Sequence, residues 1–344
     1  MEANTEISRV TIVGTGLIGG SWAACFLAHS LDVVATDPAP GTEEKLRHYV
    51  EAAWPALTKI GLAPGASTSR LRFESDLNEA LAGAQMVQEN APEREPLKIK
   101  LFADMDSVLP PPAILVSSTS GIPMSRIQSE CKHPERCVTG HPFNPPHLIP
   151  LVEVVGGAKT SAQTIERAMR FYRAMGKRAV HIRKEVAGHV ANRLAWALYR
   201  EVAYLIDQDV VSVADADAAV CMGPGLRWAL MGPNLIYHLG GGPGGMHHFF
   251  EQFASPMAAF WAELGSPDLG PELQKKIVDG VLEEVDGRTL ETLSQERDTL
   301  IVGLLELLSH RVKAEPAAER GHVADARSRC PLSAVTKIKP GYLI

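Results

Sequence analysis

The sequence predicts an α/β fold: an N-terminal doubly wound parallel sheet followed by a mostly α-helical second domain. Three observations carry that expectation. Short β-branched runs alternate with helical patterns through the first half of the chain, and such alternation implies parallel strands joined by helical crossovers. The first run stops at a glycine-rich turn, Gly14-Thr15-Gly16-Leu17-Ile18-Gly19. Beyond about residue 185 the pattern changes to amphipathic helices broken by Gly and Pro. At 344 residues the chain is long enough for two domains.

In order, Val10, Thr11, Ile12 and Val13 read as a buried strand that ends at Gly14. Residues 17–29 are a helix of small residues, and 33–36 are a second strand ending at Asp37. A long helix spans 42–60. Residues 85–88, 114–117 and 137–139 are further strands, with a helix at 94–108 that stops before Pro110-Pro111-Pro112. A β-branched run at 151–155 carries Glu153, and an amphipathic helix at 162–175 ends at Gly176. Residues 186–208 place Val190, Leu194, Leu198, Val202 and Leu205 on one helical face. The extended segment 179–184 marks the boundary. The expected domains are 1–184 and 185–313, and the tail at 314–344, mixed in charge, Ala and Pro, is expected to be poorly ordered.

Composition narrows the function. The chain is 45% hydrophobic and 22% charged with a formal net charge of -6, which gives no electrostatic footprint for nucleic acid or for an anionic membrane. Residues 10–28 carry no charge and are long enough to span a bilayer. Gly14, Gly16, Gly19 and Gly20 interrupt them, and no positively charged leader precedes them. Five cysteines, Cys25, Cys131, Cys137, Cys221 and Cys330, form no CxxC pair. Reduced thiols in the cytoplasm are expected, not a disulfide framework or a zinc site. His247 and His248 lack a third ligand at metal spacing, so no metal is expected.

The glycine turn has the G-x-G-x-x-G pattern, follows a strand and opens a helix. Gly14 permits the tight turn, Gly16 lets the backbone approach a pyrophosphate, and Gly19 lets helix and strand pack closely. The helix N-terminus offers free N–H groups and a positive dipole end to the phosphates. Asp37 ends the second strand, where a carboxylate accepts hydrogen bonds from ribose hydroxyls and repels a 2′-phosphate. NAD is therefore expected rather than NADP, held by Gly14, Gly16, Leu17, Ile18, Gly19 and Asp37.

The run Gly140-His141-Pro142-Phe143-Asn144-Pro145-Pro146 places an imidazole just past a predicted strand, where ligands of such sheets bind. Glu153 follows, and a carboxylate beside an imidazole fixes its tautomer and raises its basicity. Together with Ser117-Ser118-Thr119-Ser120-Gly121 and Gly188-His189-Val190-Ala191-Asn192-Arg193, in this order and spacing, these motifs resemble the 3-hydroxyacyl-CoA dehydrogenase family over about residues 8–260. The resemblance implies a Rossmann NAD-binding domain followed by a helical substrate and dimerisation domain, in a homodimer. It places the catalytic set on Ser120, His141, Glu153 and Asn192, with His141 as general base, and further cofactor contacts on Glu93 and Lys98. His189 stands where the acyl-CoA members usually carry an aromatic residue, which bears on the substrate.

The stretches Gly223-Pro224-Gly225-Leu226-Arg227-Trp228 and Tyr237-His238-Leu239-Gly240-Gly241-Gly242-Pro243-Gly244-Gly245-Met246 depart from the acyl-CoA members and resemble the branch that acts on small hydroxy acids. That resemblance implies oxidation of the 3-hydroxyl of L-carnitine to 3-dehydrocarnitine, with L-gulonate or a 3-hydroxyacyl-CoA as alternatives. A carboxylate suits Arg193 or Arg227. A trimethylammonium cannot donate a hydrogen bond and suits the aromatic faces of Phe143, Trp196, Tyr199, Trp228 or Tyr237. A CoA substrate would need a basic lip, and no lysine-rich run supplies one. A non-catalytic protein that keeps the fold for bulk is disfavoured, because Ser120, His141, Glu153 and Asn192 are all present.

Overall fold

The computed structural model of the protein describes residues 7–314. Cys330 and all but the first residue of the expected tail lie outside the described residues. The first half runs β1 (Arg9–Val13), α1 (Leu17–Ala28), β2 (Asp32–Thr36), α2 (Thr42–Ile60), β3 (Leu71–Phe73), α3 (Leu77–Leu81), β4 (Met86–Glu89), α4 (Glu95–Val108), β5 (Ile114–Ser117), α5 (Met124–Ile127), β6 (Cys137–Pro142), β7 (Leu151–Gly156), α6 (Ala162–Ala174) and β8 (Arg178–Ile182). The strands form one eight-stranded sheet in the order β3-β2-β1-β4-β5-β6-β7-β8. Every neighbouring pair is parallel except β6–β7.

That exception follows from chain length. Only residues 143–150 separate β6 from β7, too few for a parallel crossover, so the chain must turn back on itself. The register sets His141 opposite Glu153, and residues directly opposite in an antiparallel pair share a face with their Cβ atoms in contact range.

Both faces of the sheet are covered. α1 is buried from Gly19 to Ala28, as a helix apolar on all sides must be. Its Trp22 stacks on Phe26 with ring centroids 5.1 Å apart and tilts against Tyr172 of α6 at 5.4 Å. On the same side α2 turns Leu46, Val50, Ala53 and Leu57 inward. On the other side Val87, Phe102, Met105, Leu115, Met124 and Ile127 form a second cluster. Among the described residues, no helix is long and apolar enough to cross a membrane.

The second half is helical: α7 (Ala191–Asp207), α8 (Val213–Val220), α9 (Leu226–Leu230), α10 (Pro233–Gly240), α11 (Gly245–Glu263), α12 (Pro271–Val285) and α13 (Leu290–Ala314). Its buried cluster is small, made of Ala203, Ile206, Val213, Ala216 and Leu273. Large apolar side chains stay exposed, among them Trp196 at 64%, Phe260 at 69% and Trp261 at 66%. α13 returns to pack against α2 of the sheet domain.

The structure corrects several expectations. β3, α3 and α5 are too short to show a period in the sequence. The helix expected over 186–208 begins only at Ala191, because Gly188 (φ 75°) and His189 (φ 52°) adopt left-handed backbone that a helix cannot contain. His141 lies within β6 rather than past a strand ending at residue 139, since β6 extends to Pro142. The strand expected at 85–88 is shifted by one residue, which makes Glu89 its last member. Apart from these corrections, Cys131 and Cys137 are free thiols with their sulfurs 3.8 Å apart.

One buried histidine links the nucleotide-side helix to the loop after β6. The Ser21 hydroxyl accepts the His147 N–H at 2.8 Å and lies 2.8 Å from its Nδ1. Burial, helped by Lys177 and Arg297 and opposed by Asp298, pushes the His147 pKa down to about 4 from 6.5. A base with a depressed folded-state pKa contributes full stability above its unfolded pKa and loses it as acid protonates the unfolded chain first. Stability is therefore expected to fall between about pH 6.5 and 4. Urea denaturation across that window should show a shallower fall for His147→Asn than for the wild type, and parallel curves would refute the assignment.

Candidate functional site

The site lies beside the crevice between β1 and β4, where strand order reverses and ligands of open α/β sheets bind. The three glycines of the turn do different things there. Gly14 has φ 86°, and a Cβ on it would lie 2.8 Å from the Asn90 carbonyl. A Cβ on Gly19 would lie 1.9 Å from the Gly14 oxygen, so helix and turn touch through bare backbone. A Cβ on Gly16 would meet no protein atom within 4 Å. Gly16 is also the N-cap of α1 and provides no side-chain cap, so the helix's first amides open onto that free space.

Asp37 secures the same turn. Its Oδ2 accepts hydrogen bonds from the Thr15 N–H at 2.8 Å and the Thr15 hydroxyl at 3.3 Å, and its Oδ1 accepts from the Ala39 N–H at 3.0 Å. It borders a cavity of about 860 Å³ lined also by Pro38, Ala39, Arg47 and Phe73. Leu17 is exposed beside the turn and Ile18 lines the neighbouring cleft. An uncapped helix end, a glycine facing open space and a carboxylate at the far side fit a dinucleotide's pyrophosphate and adenosine ribose.

Lys98 is buried, whereas Glu93 beside it stays partly open to solvent. Lys98 on α4 is 1% exposed; its Nζ donates to Glu89 Oε1 at 2.6 Å and to the Ala91 carbonyl at 3.0 Å, and lies 3.5 Å from Glu93 Oε2. Glu89 is fully buried and also accepts from the Ser117 hydroxyl at 2.6 Å and the Ala91 N–H at 2.6 Å. Glu93 Oε1 accepts from the Thr119 hydroxyl at 2.6 Å and from the Ser120 and Gly121 amides at 2.9 and 3.0 Å. Burial pushes the Glu93 carboxyl upward, but Thr119, Lys98 and the two amides outweigh it and hold the pKa below the ordinary carboxylate value. These charges fix the turn that carries Ser120.

At the cleft, His141 Nδ1 is 2.8 Å from Glu153 Oε2. The other Glu153 oxygen accepts the Val190 and Ala191 amides, at 3.0 and 2.9 Å, at the start of α7. Burial raises the Glu153 pKa, yet the hydrogen bonds from His141, Ala191 and Val190 together hold it below its usual value. An ionised carboxylate only accepts, so Nδ1 carries the hydrogen and Nε2 keeps the lone pair. Ser120, His141, Phe143 and Asn192, with Asn90, Lys98 and Asn144, line one cleft of about 520 Å³.

The sequence-predicted substrate residues separate. Phe143 lines the cleft and meets the His141 ring edge-to-face at 5.9 Å. Arg193 and Trp196 lie on the exposed part of α7, and Arg227 and Trp228 on α9, also exposed; none of these four is among the cleft-lining residues. Sequence reasoning missed Glu89 and the chain Tyr172–Gln88–Ser118–Asn90, whose links are 2.5, 2.8 and 2.7 Å. A signal was present: the polar run Gln88-Glu89-Asn90 ends a buried parallel strand, and polar groups there need partners.

Oxidising an alcohol requires an acceptor for its proton and a carrier for its hydride, and the cleft sets an imidazole beside a dinucleotide cradle. The chain is an NAD-dependent dehydrogenase acting on a CH–OH donor. Residues 9–186 match the family model described as 3-hydroxyacyl-CoA dehydrogenase, NAD binding domain, and residues 188–279 match 3-hydroxyacyl-CoA dehydrogenase, C-terminal domain. The chain belongs to the 3-hydroxyacyl-CoA dehydrogenase family. It is 47% identical to L-carnitine dehydrogenase of Bacillus cereus, covering 88% of this chain and 93% of that one. It is also 47% identical to L-carnitine dehydrogenase of Streptomyces coelicolor, covering 89% and 96%. A solved 5-formyl-3-hydroxy-2-methylpyridine 4-carboxylic acid 5-dehydrogenase, an NAD+-dependent dismutase, superposes with a TM-score of 0.76 at 31% identity, covering 88% of this chain and 99% of that one.

The different roles of the glycines are testable. Gly16→Ala is expected to melt like the wild type, since its Cβ meets no protein atom within 4 Å, while NAD affinity falls about tenfold or more through lost backbone approach. Gly14→Ala is expected to lower the melting temperature, because L-residues resist its φ of 86°. Unchanged NAD affinity in Gly16→Ala, read by calorimetry, would refute the pyrophosphate placement.

Proposed function

We propose that the protein oxidises the 3-hydroxyl of L-carnitine to 3-dehydrocarnitine, with His141 as general base. The observation that carries this is the buried His141–Glu153 pair, 2.8 Å apart, at a cleft shared with Ser120 and Asn192, in a chain similar to several L-carnitine dehydrogenases. His141 Nε2 takes the hydroxyl proton. Glu153, held ionised, balances the resulting imidazolium and keeps the ring in place. The Ser120 hydroxyl and the Asn192 amide hold the substrate oxygen, so the reacting carbon faces the cofactor. Bound NAD would supply the hydride acceptor. Gly14, Gly16, Leu17, Ile18, Gly19 and Asp37 would hold it, with Glu93 and Lys98 as further contacts.

Phe143 supplies an aromatic face beside His141 on which a trimethylammonium can rest. Lys98, the cation in the cleft wall, is already matched by Glu89; carboxylate recognition falls to Arg193 or Arg227, with Trp196 and Trp228 as further aromatic faces, although none of the four lines the cleft of the single chain. Those residues lie on the helical half, which leaves Trp196, Phe260 and Trp261 largely exposed, and contiguous exposed apolar surface marks interaction sites. A homodimer through the helical domain covers that face. The domain division at residues 184/185 and a cytoplasmic location, consistent with free Cys25, Cys131, Cys137 and Cys221, complete the reading. The family models' own description favours a second substrate class, a 3-hydroxyacyl-CoA.

NADH absorbance across L-carnitine, D-carnitine, L-gulonate, 3-hydroxybutyrate and 3-hydroxybutyryl-CoA tests the substrate. Turnover confined to L-carnitine is the expected result, and preference for the CoA ester would transfer the assignment to the second class. His141→Ala is expected to lower kcat by about 10²–10⁴ while NAD affinity stays unchanged. Wild-type turnover in that variant would remove His141 from the role of base.

A further inference from the structure

A second imidazole sits against the first. The His189 ring centroid is 4.9 Å from that of His141, with the planes tilted by 41°. His189 is 4% exposed. Its Nε2 is 3.1 Å from the Thr119 carbonyl oxygen. A carbonyl only accepts, so Nε2 carries the hydrogen and Nδ1 is bare. That Nδ1 is buried without a hydrogen-bond partner among the described residues, which is uncommon for a buried polar atom.

The backbone has also been bent to put this ring there. Gly188 and His189 are consecutive left-handed residues, at φ 75° and 52°. For a histidine that conformation is uncommon, and such positions persist where surrounding structure holds them and cluster at functional sites. The same bend aims the Val190 and Ala191 amides at Glu153. One residue therefore reaches the turn that carries Ser120, the ring of His141 and the start of α7.

We propose that His189 is a positioning residue for the proton-accepting imidazole: it fastens the Ser120 turn to the structure beside His141 and does so as an uncharged ring, leaving Glu153 a single imidazolium to balance during turnover. The inference rests on the reading of His141 as the base. The charged and titratable groups facing His189 are His141 on β6, Glu153 on β7 and Glu93 before α4. Burial lowers its pKa, the Thr119 carbonyl opposes this, His141 lowers it further, and the two carboxylates oppose. The balance lies below the ordinary imidazole value. Two imidazolium ions in one buried site repel, so a charged His189 would disfavour the proton that His141 must accept.

The test compares His189→Phe with His189→Gln in the full-length enzyme. Glutamine carries its amide nitrogen about where the imidazole Nε2 stands and can donate to Thr119, but it does not titrate; phenylalanine keeps a ring and loses the tether. We expect kcat to fall about tenfold or more in His189→Phe, with NAD affinity unchanged, and to recover largely in His189→Gln. We expect the acid limb of log kcat/KM to steepen from one proton to two in the wild type and to stay at one proton in both variants. Wild-type kcat and acid limb in His189→Phe would overturn the proposal, as would equal losses in both variants with the wild-type limb. His141→Ala distinguishes the two levels. Turnover in it removes the base and the functional reading, whereas an inactive His141→Ala beside a wild-type-like His189→Phe overturns the positioning role alone.

Discussion

The carboxylate of Glu153 is the constraint on which the site depends. Both its oxygens are committed, one to His141 Nδ1 and the other to two amides at the start of α7. A carboxylate buried without such partners would cost several kcal/mol, whereas hydrogen bonds to a charged group each contribute about 1.5–3 kcal/mol. The side chain is therefore stable only where sheet and helical half meet in this orientation. It is also why imidazole tautomer, α7 direction and Asn192 position are one structural decision. Asn192 lies in the first turn of α7, and that turn is held by the same oxygen that accepts the Val190 and Ala191 amides.

The second constraint is charge burial near the cofactor side. Lys98 and Glu89 are both essentially inaccessible and 2.6 Å apart, and Arg136 and Asp106 form a comparable pair at 2.8 Å. The remaining Asp106 oxygen accepts the Lys132 and His133 amides at 2.6 and 2.9 Å. Pairs of this kind add little net stability over apolar residues of similar size, but breaking one strands a charge. Their effect here is geometric. Lys98–Glu89–Glu93 fixes the Ser120 turn from below, and Arg136–Asp106 fixes the segment entering β6, four residues before the strand reaches Gly140. A Cβ on Gly140 would lie 2.2 Å from the Tyr172 hydroxyl oxygen, so the approach to His141 is packed as tightly as backbone allows.

The helical half obeys a different balance. Its interior cluster is small and its aromatic and aliphatic side chains face outward, so its own core buries little of the apolar surface its length provides. The sheet domain has two interleaved clusters, one on each face. The helical half contributes to the cleft through its first turn, at Asn192.

Much of this was legible in the sequence because it depends on local chemistry. A β-branched run stopped by G-x-G-x-x-G must become a strand, a turn and a helix, since only glycine meets the φ of 86° at Gly14 and the bare contact at Gly19. The family resemblance of the motifs that carry His141, Glu153 and Asn192 implied a shared site for them. What the sequence left open were the facts that exist only between distant segments. The burial of Lys98 depends on Glu89, which ends a strand paired with β5, and the same pairing brings Thr119 to Gly121 to the partly exposed Glu93. The late start of α7 was hidden because Gly188 and His189 interrupt an otherwise helical period with a left-handed bend. Local pattern determined most of the elements and the glycine turn. Tertiary structure decided which charges are buried, which way β7 runs and where α7 begins, because pairing and desolvation act between residues that no local pattern brings together.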